Sequence, residues 1–143
     1  MLKFAKLHES AIAPERFDPE AAGYDLATPV SCVVLAISAT LINIQLQFQF
    51  PPGTYGRIAP RSGFSLDNFT NIGGGVVDPG FRGPVGVIIQ NHSHRDIHLL
   101  RGDRIAQIIC EKYTSVELEQ VEPLPFTSTA RGASGFGSTG LNK

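Results

Sequence analysis

The stretch Ile42-Asn43-Ile44-Gln45-Leu46-Gln47-Phe48-Gln49-Phe50 alternates apolar side chains with uncharged amides without a break. A period of two is that of a β-strand, whose successive side chains point to opposite faces. One face of this strand is wholly apolar and meets a core. The other carries only amides, where a fully solvated strand would carry Lys or Glu. That composition suits a second face that is partly covered, and another subunit is one such cover. No segment of the chain holds a 3.6-residue apolar period for long, and there is no internal repeat, so strands dominate.

The neighbours of this strand read the same way. Cys32 to Ile37 is a continuous apolar run, as in a strand buried on both faces, and Leu2 to Leu7 is a first strand. Pro51-Pro52-Gly53 stops the alternating strand, Tyr55 to Ala59 begins the next, and Phe64 to Phe69 fits one helical turn. Further strands are expected over Val85–Asn91, Asp96–Leu100, Ile105–Tyr113 and Val116–Val121, separated by turn residues such as Ser93-His94-Arg95 and Arg101-Gly102-Asp103. Many short strands at regular spacing predict an all-β, jelly-roll domain, a distorted barrel, over residues 1–122. From Pro123 the composition turns to Pro, Gly, Ser and Thr, which cannot pack a strand, so 123–143 reads as a flexible C-terminal arm.

Composition narrows the functional classes. The chain has 143 residues, enough for one domain with a real core, and a formal charge of −1 with 12 basic residues. No clustered basic face is present for a duplex, so no nucleic-acid partner is expected. The longest apolar stretch, Val30 to Ile42, is too short and too interrupted to span a bilayer, and the N-terminus alternates Lys with apolar residues, unlike a secretion signal. Cys32 and Cys110 sit in strand-like runs and make no metal spacing. They read as buried reduced thiols of an intracellular protein, cytoplasmic or nuclear.

Chemistry concentrates in the loops. Gly73-Gly74-Gly75-Val76-Val77-Asp78-Pro79-Gly80-Phe81-Arg82-Gly83-Pro84-Val85-Gly86 reads as a hairpin whose bend, Asp78 to Phe81, has Pro79 preset at φ near −65° and Gly80 free to take φ > 0. Glycines on both arms weaken the strands and make room for the close approach of a ligand or another backbone. A surface hairpin with a turn Asp and a core Phe is the plainer reading. Asp25, Arg61-Ser62-Gly63 and Asp103-Arg104 with Gln107 are further polar clusters, each with an ordinary alternative: Asp25 as a turn cap, Arg61 in an ion pair, Asp103 satisfying Arg104. His92 and His94 stand in a turn with no partner at zinc spacing. Arg131 to Gly140 sets one Arg and one Phe among Gly, Ser and Thr, which suits either a disordered tail or a loop folded over phosphates; the spacing of a P-loop is missing.

Taken in order, Ala22-Gly23-Tyr24-Asp25-Leu26, Tyr55-Gly56-Arg57-Ile58-Ala59-Pro60-Arg61-Ser62-Gly63, Gly75 to Gly83, Gly102-Asp103-Arg104-Ile105-Ala106-Gln107 and Arg131-Gly132-Ala133-Ser134-Gly135-Phe136-Gly137-Ser138-Thr139-Gly140 resemble the five motifs of the trimeric dUTP pyrophosphatases. The resemblance implies a homotrimer with active sites at subunit interfaces, hydrolysing dUTP to dUMP and pyrophosphate with Mg²⁺ bound by the phosphates. By the same resemblance Asp78 holds the 3′-hydroxyl and orients the attacking water. Phe81 packs on the deoxyribose, and the backbone of Gly75, Val76, Val77 and Gly86 reads uracil. Arg61, Ser62 and Gly63 bind phosphate from a neighbouring subunit. Asp25 reaches the Mg²⁺ hydration shell, and Gln107 the phosphates. Arg131 with Ser138 and Thr139 clamps the γ-phosphate, and Phe136 with Gly137 forms a lid over the base.

The chain departs from the family pattern at three places: Phe81 stands for the usual Tyr, Pro79-Gly80 for a more polar pair, and Ile44-Gln45 for Thr-Asp. Two competing readings are a dCTP deaminase-like enzyme, which needs a Glu that the hairpin lacks, and a non-catalytic jelly-roll nucleotide-binding or regulatory protein.

Overall fold

A computed structural model describes residues 1–122, 129 and 131–134. The expected arm 123–143 therefore lies largely outside the described residues, and Phe136, Gly137, Ser138 and Thr139 lie wholly outside them. The described chain is built from strands β1 (Lys3–Lys6), β2 (Gly23–Ala27), β3 (Cys32–Val34), β4 (Ser38–Asn43), β5 (Leu46–Gln49) and β6 (Thr54–Ala59), then helix α1 (Ser62–Asn68). Strands β7 (Thr70–Gly73), β8 (Val76–Val77), β9 (Gly86–Asn91), β10 (Ile97–Leu99) and β11 (Arg104–Lys112) complete it. They form antiparallel sheets in the orders β2-β11-β6-β8, β4-β9-β7, β1-β5 and β3-β10. No described strand pairs with its immediate successor in sequence. The chain crosses between sheets at each step, as in a jelly roll rather than a meander.

The alternation over 42–50 holds across a break. Ile42, Ile44, Leu46, Phe48 and Phe50 are all buried, but β4 ends at Asn43 and β5 begins at Leu46. Between them Gln45 takes the left-handed conformation (φ 58°), with its N–H donated to Asn43 Oδ1 at 2.8 Å. This kink carries the chain from the β4-β9-β7 sheet to pair with β1 while leaving the apolar parity intact. The partial cover expected for the amide face comes in part from the same chain: Gln47 Nε2 donates to the carbonyl of Arg82. With Leu26, Val87, Ile89, Ile105 and Ile108 fully buried, this row forms the core, each such side chain contributing about 1.5–3 kcal/mol of transfer free energy.

Several expectations are corrected. The run 32–37 is a strand only over Cys32–Val34, and Val33, Leu35 and Ile37 are exposed, because β3 pairs with β10 alone at the rim. Residues 116–121 form no strand and stand in solvent, having no sheet edge of their own chain beside them. Cys110 is exposed and Cys32 half-buried, both as free thiols. The 73–86 segment is not a simple two-armed hairpin either. β7 pairs with β9, whereas Val76-Val77 leaves them to pair with Gly56 and Arg57 of β6, so the segment bridges two sheets.

Candidate functional site

The bridging segment opens a cavity of about 190 Å³ between the sheets, lined by Ile58, Gly74, Val76, Val77, Asp78, Phe81, Pro84, Val85 and Gly86. The bend is closed by the Phe81 N–H donated to the Asp78 carbonyl at 3.0 Å. Gly80 does not use its left-handed freedom; Gly74 does, at φ 56°. Two of the glycines serve internal packing. A Cβ on Gly75 would stand 2.3 Å from the Ile58 carbonyl oxygen, and one on Gly83 would stand 2.7 Å from the Phe81 ring. The Gly75 carbonyl already accepts the Ile58 N–H at 2.7 Å, and the cavity wall is Gly74 rather than Gly75. The result is a slot of mixed polar and apolar surface between exposed Val76 and half-exposed Phe81, with the solvent-facing carboxylate of Asp78 at its rim.

Arg82 keeps that bend in shape. One of its terminal nitrogens, Nη1, donates to the carbonyls of Pro79 and Phe81, each at 2.8 Å. Those bonds satisfy turn carbonyls that no ladder reaches.

A second constellation forms on the outer face of the β2-β11-β6-β8 sheet. Gln107 stands opposite both Asp25 and Ala59. Asp25 Oδ1 accepts Arg61 Nε at 2.9 Å and Asp25 Oδ2 accepts Arg104 Nη1 at 3.1 Å. Arg61 Nη1 also donates to the Arg104 carbonyl at 3.0 Å, and Gln107 Nε2 to the Pro60 carbonyl at 2.9 Å. Ser62 and Gly63 follow as the exposed first residues of α1. Two guanidiniums, a carboxylate, an amide and a hydroxyl at one sheet end make a surface suited to an anion bearing several charges. The ordinary alternative for Asp103, satisfying Arg104, does not hold. Instead Asp103 Oδ2 accepts the Leu100 N–H at 2.8 Å, closing the turn before β11 and leaving Arg104 to Asp25.

These two constellations do not meet within one chain. Val76 and Val77 stand opposite Arg57 and Gly56, so Asp78 leaves the sheet at the Tyr55 end of β6, while Arg61 leaves at the Ala59 end. Three strand spacings across and about four residues along separate Asp78 from Asp25 by roughly 20 Å. Arg131 is exposed and donates Nε to the Ser134 carbonyl at 3.0 Å. His92 lies edge-on to Phe69, and no group of three potential metal ligands occurs among the described residues.

A protein-family model described as dUTPase matches residues 9–140. This chain belongs to the dUTPase family. It is 46% identical over 141 residues to the deoxyuridine 5'-triphosphate nucleotidohydrolase of Oryza sativa subsp. japonica, covering 99% of this chain and 81% of that one. It is 48% identical over 139 residues to the enzyme of the same name from avian adenovirus 8, covering 97% and 84%. Among solved structures it resembles a Staphylococcus bacteriophage 80alpha dUTPase bound to dUpNHpp, with a TM-score of 0.89 at 27% identity and 99% of both chains covered. A mutant dUTPase from phage phi11 of S. aureus, described with a structural Mg(II) ion, matches with a TM-score of 0.79 at 25% identity, over 90% of this chain and 99% of that one. The all-β jelly roll is thus that of the dUTPases, and among the described residues no helix is long and apolar enough to cross a membrane.

Proposed function

We propose that this dUTPase hydrolyses dUTP to dUMP and pyrophosphate in a homotrimer whose sites are shared between subunits. The observation that carries the reading is the separation just described. A slot for a base and sugar lies at one end of a rigid sheet and a phosphate-binding cluster at the other, so one site takes its halves from two copies. Such a head-to-tail arrangement closes into a ring.

In this site the backbone of Gly75, Val76, Val77 and Gly86 hydrogen-bonds uracil, and the narrow slot rejects a 5-methyl group. Cytosine would set a donor against a donor. Phe81 packs on the deoxyribose and leaves no space for a 2′-hydroxyl. Asp78 holds the 3′-hydroxyl and takes a proton from the water that attacks the α-phosphorus; the P–O bond to the β-phosphate breaks and pyrophosphate leaves. Arg61, Ser62, Gly63 and Gln107 of a neighbour hold the phosphates in line.

The donor set also bears on the metal. Asp25 is a single hard carboxylate flanked by two guanidiniums, with no cage of ligands around it among the described residues. That set fits Mg²⁺ carried in by the phosphates and touched through water, and it does not fit a bare ion held by protein. When bound, the ion neutralises charge on the phosphate oxygens.

Residues 1–122 form the domain and 123–143 the arm. From the arm Arg131, Ser138 and Thr139 clamp the γ-phosphate, and Phe136 and Gly137 cover the base. The setting proposed is an intracellular nucleotide pool, where the reaction keeps uracil out of DNA and supplies dUMP.

Pyrophosphate release across the nucleoside triphosphates tests this. dUTP turns over, while dTTP, dCTP and UTP are poor substrates, and Asp78→Asn loses at least roughly 100-fold. Comparable turnover of dCTP or dTTP, or ammonia release from dCTP, would overturn the reading.

A further inference from the structure

Arg104 is the one member of the phosphate cluster with no part in the reading above, and its placement takes a local irregularity to explain. Residues of one strand alternate faces, so positions 104 and 107, an odd number apart, belong on opposite sides. Here they share a side. Arg104 stands opposite Ala27 and Ala106 opposite Leu26, so Ile105 is an extra residue, a bulge that re-aims the side chain before it. The bulge turns Arg104 onto the face that carries Asp25. There its Nη1 meets Asp25 Oδ2 at 3.1 Å, and its guanidinium carbon lies 4.8 Å from the ring centre of Phe17. Phe17 is itself 69% exposed, so the ring and the guanidinium cover one another at the surface.

Asp25 is shared. Its side chain is only 20% exposed, and its other oxygen is held by Arg61, the residue that has to reach the phosphates. Arg61 gives Nε to Asp25 and Nη1 to the Arg104 carbonyl, so to turn more than Nη2 toward a ligand it must leave Asp25. A carboxylate that shielded resists being left without a partner. Arg104 removes the difficulty, because it keeps Asp25 paired while Arg61 moves. We propose that Arg104, braced by Phe17, is a positioning residue that holds Asp25 and so frees Arg61 for the triphosphate. This rests on the dUTP reading of the site.

Binding of dUpNHpp and of dUMP to the full-length protein, measured calorimetrically with and without Mg²⁺, tests it. Arg104→Met keeps the aliphatic stem and removes the charge. The expected result is about a tenfold loss of dUpNHpp affinity without Mg²⁺, since Arg61 then stays committed to Asp25. A smaller loss is expected with Mg²⁺, and little change for dUMP, which lacks the β- and γ-phosphates. Phe17→Ala, at a surface position that does not threaten folding, should weaken dUpNHpp about two- to fivefold alone and not further in the Arg104→Met background. A wild-type protein that does not bind dUpNHpp overturns the dUTP reading and this assignment with it. Normal wild-type binding overturns the assignment alone if Arg104→Met and Phe17→Ala leave dUpNHpp unchanged. It does so too if they weaken dUMP and dUpNHpp equally, as a general structural defect would.

Discussion

Mixing two inactive variants measures whether one site draws on two chains. Asp78→Asn removes the base at the slot and Arg61→Ala removes a guanidinium at the other end of the sheet. Neither side chain belongs to the core, and the Arg104 bond to the Asp25 carboxylate, 3.1 Å in the unmodified chain, does not depend on Arg61, so both variants should fold. Each alone is expected to lose at least roughly 100-fold in turnover. In a 1:1 mixture with free subunit exchange, every Asp78→Asn chain supplies an intact Arg61 and every Arg61→Ala chain an intact Asp78. If the two residues act from different chains, about a quarter of the sites are fully intact, and activity recovers to about that fraction of wild type. If they acted from one chain, no intact site would form at any ratio. Steady-state pyrophosphate release reads the recovery, and co-purification of differently tagged subunits establishes that exchange has occurred. Exchanged oligomers that stay at the level of the parent variants would refute the shared site. The roughly 20 Å between Asp78 and Asp25 would then have to close within one chain, which a continuous β2-β11-β6-β8 sheet does not allow.

Two further outcomes follow from local geometry. Phe81→Tyr should be nearly silent, while Phe81→Ala should cost about 1–3 kcal/mol of ring packing and lower the ratio of kcat/KM for dUTP over UTP; an unchanged ratio in a folded Phe81→Ala protein would assign ribose exclusion elsewhere. The second concerns Glu111, which accepts the Tyr55 hydroxyl and Arg57 Nε, each at 2.6 Å. The Tyr55 hydrogen bond, then that from Arg57, holds the Glu111 carboxyl below the usual range, and the bond to Glu111 holds the Tyr55 hydroxyl above its own. A lowered carboxyl stabilises above its ordinary pKa and loses that as pH falls through the lowered value. A raised hydroxyl stabilises below its ordinary pKa and loses that as pH rises through the raised value. The melting temperature of Tyr55→Phe should therefore sit below wild type across neutral pH, by a small margin at a half-buried site, and converge with it at the acid and alkaline ends. A difference that does not vary with pH would count against the pairing.

Much of this fold is legible because burial imposes a period. The parity of Ile42, Ile44, Leu46, Phe48 and Phe50 survives even the left-handed kink at Gln45, since all five side chains must reach one core. The kink itself leaves no mark in a run of amides. The strand expected over 116–121 fails for the opposite reason: its apolar residues stand exposed and no strand of the described chain pairs with it. The glycines of 73–86 suggest room for a ligand, and there is a cavity, yet Gly75 and Gly83 are demanded by Ile58 and Phe81. Local turn chemistry marks the bend from Asp78 to Phe81, which the Phe81 N–H closes onto the Asp78 carbonyl. What the sequence hid was the pairing of Arg104 with Asp25, because a bulge is invisible to any argument from alternation, and the part of Phe17, which touches Arg104 only once residues far apart in sequence are folded together.

If the proposed site is shared between copies, it also explains why a sheet, and not a flexible loop, spans the distance between its two halves. In the proposed site the cavity of about 190 Å³ takes the base and sugar, and the triphosphate extends out of it toward another surface. If that surface hung on loops of the same chain, its position would vary with every fluctuation of those loops. On β2, β11 and the end of β6 it is fixed by ladder hydrogen bonds and by the buried Leu26, Ile58 and Ile108 behind them. Its distance from the slot of the same chain is then constant, and a rotation that docks one copy on the next repeats that geometry at each interface. Phosphoryl transfer depends mainly on holding the attacking and leaving oxygens in line. In this arrangement the precision of that alignment is set by subunit packing, so substitutions at the interface should impair turnover even where they touch neither Asp78 nor Arg61.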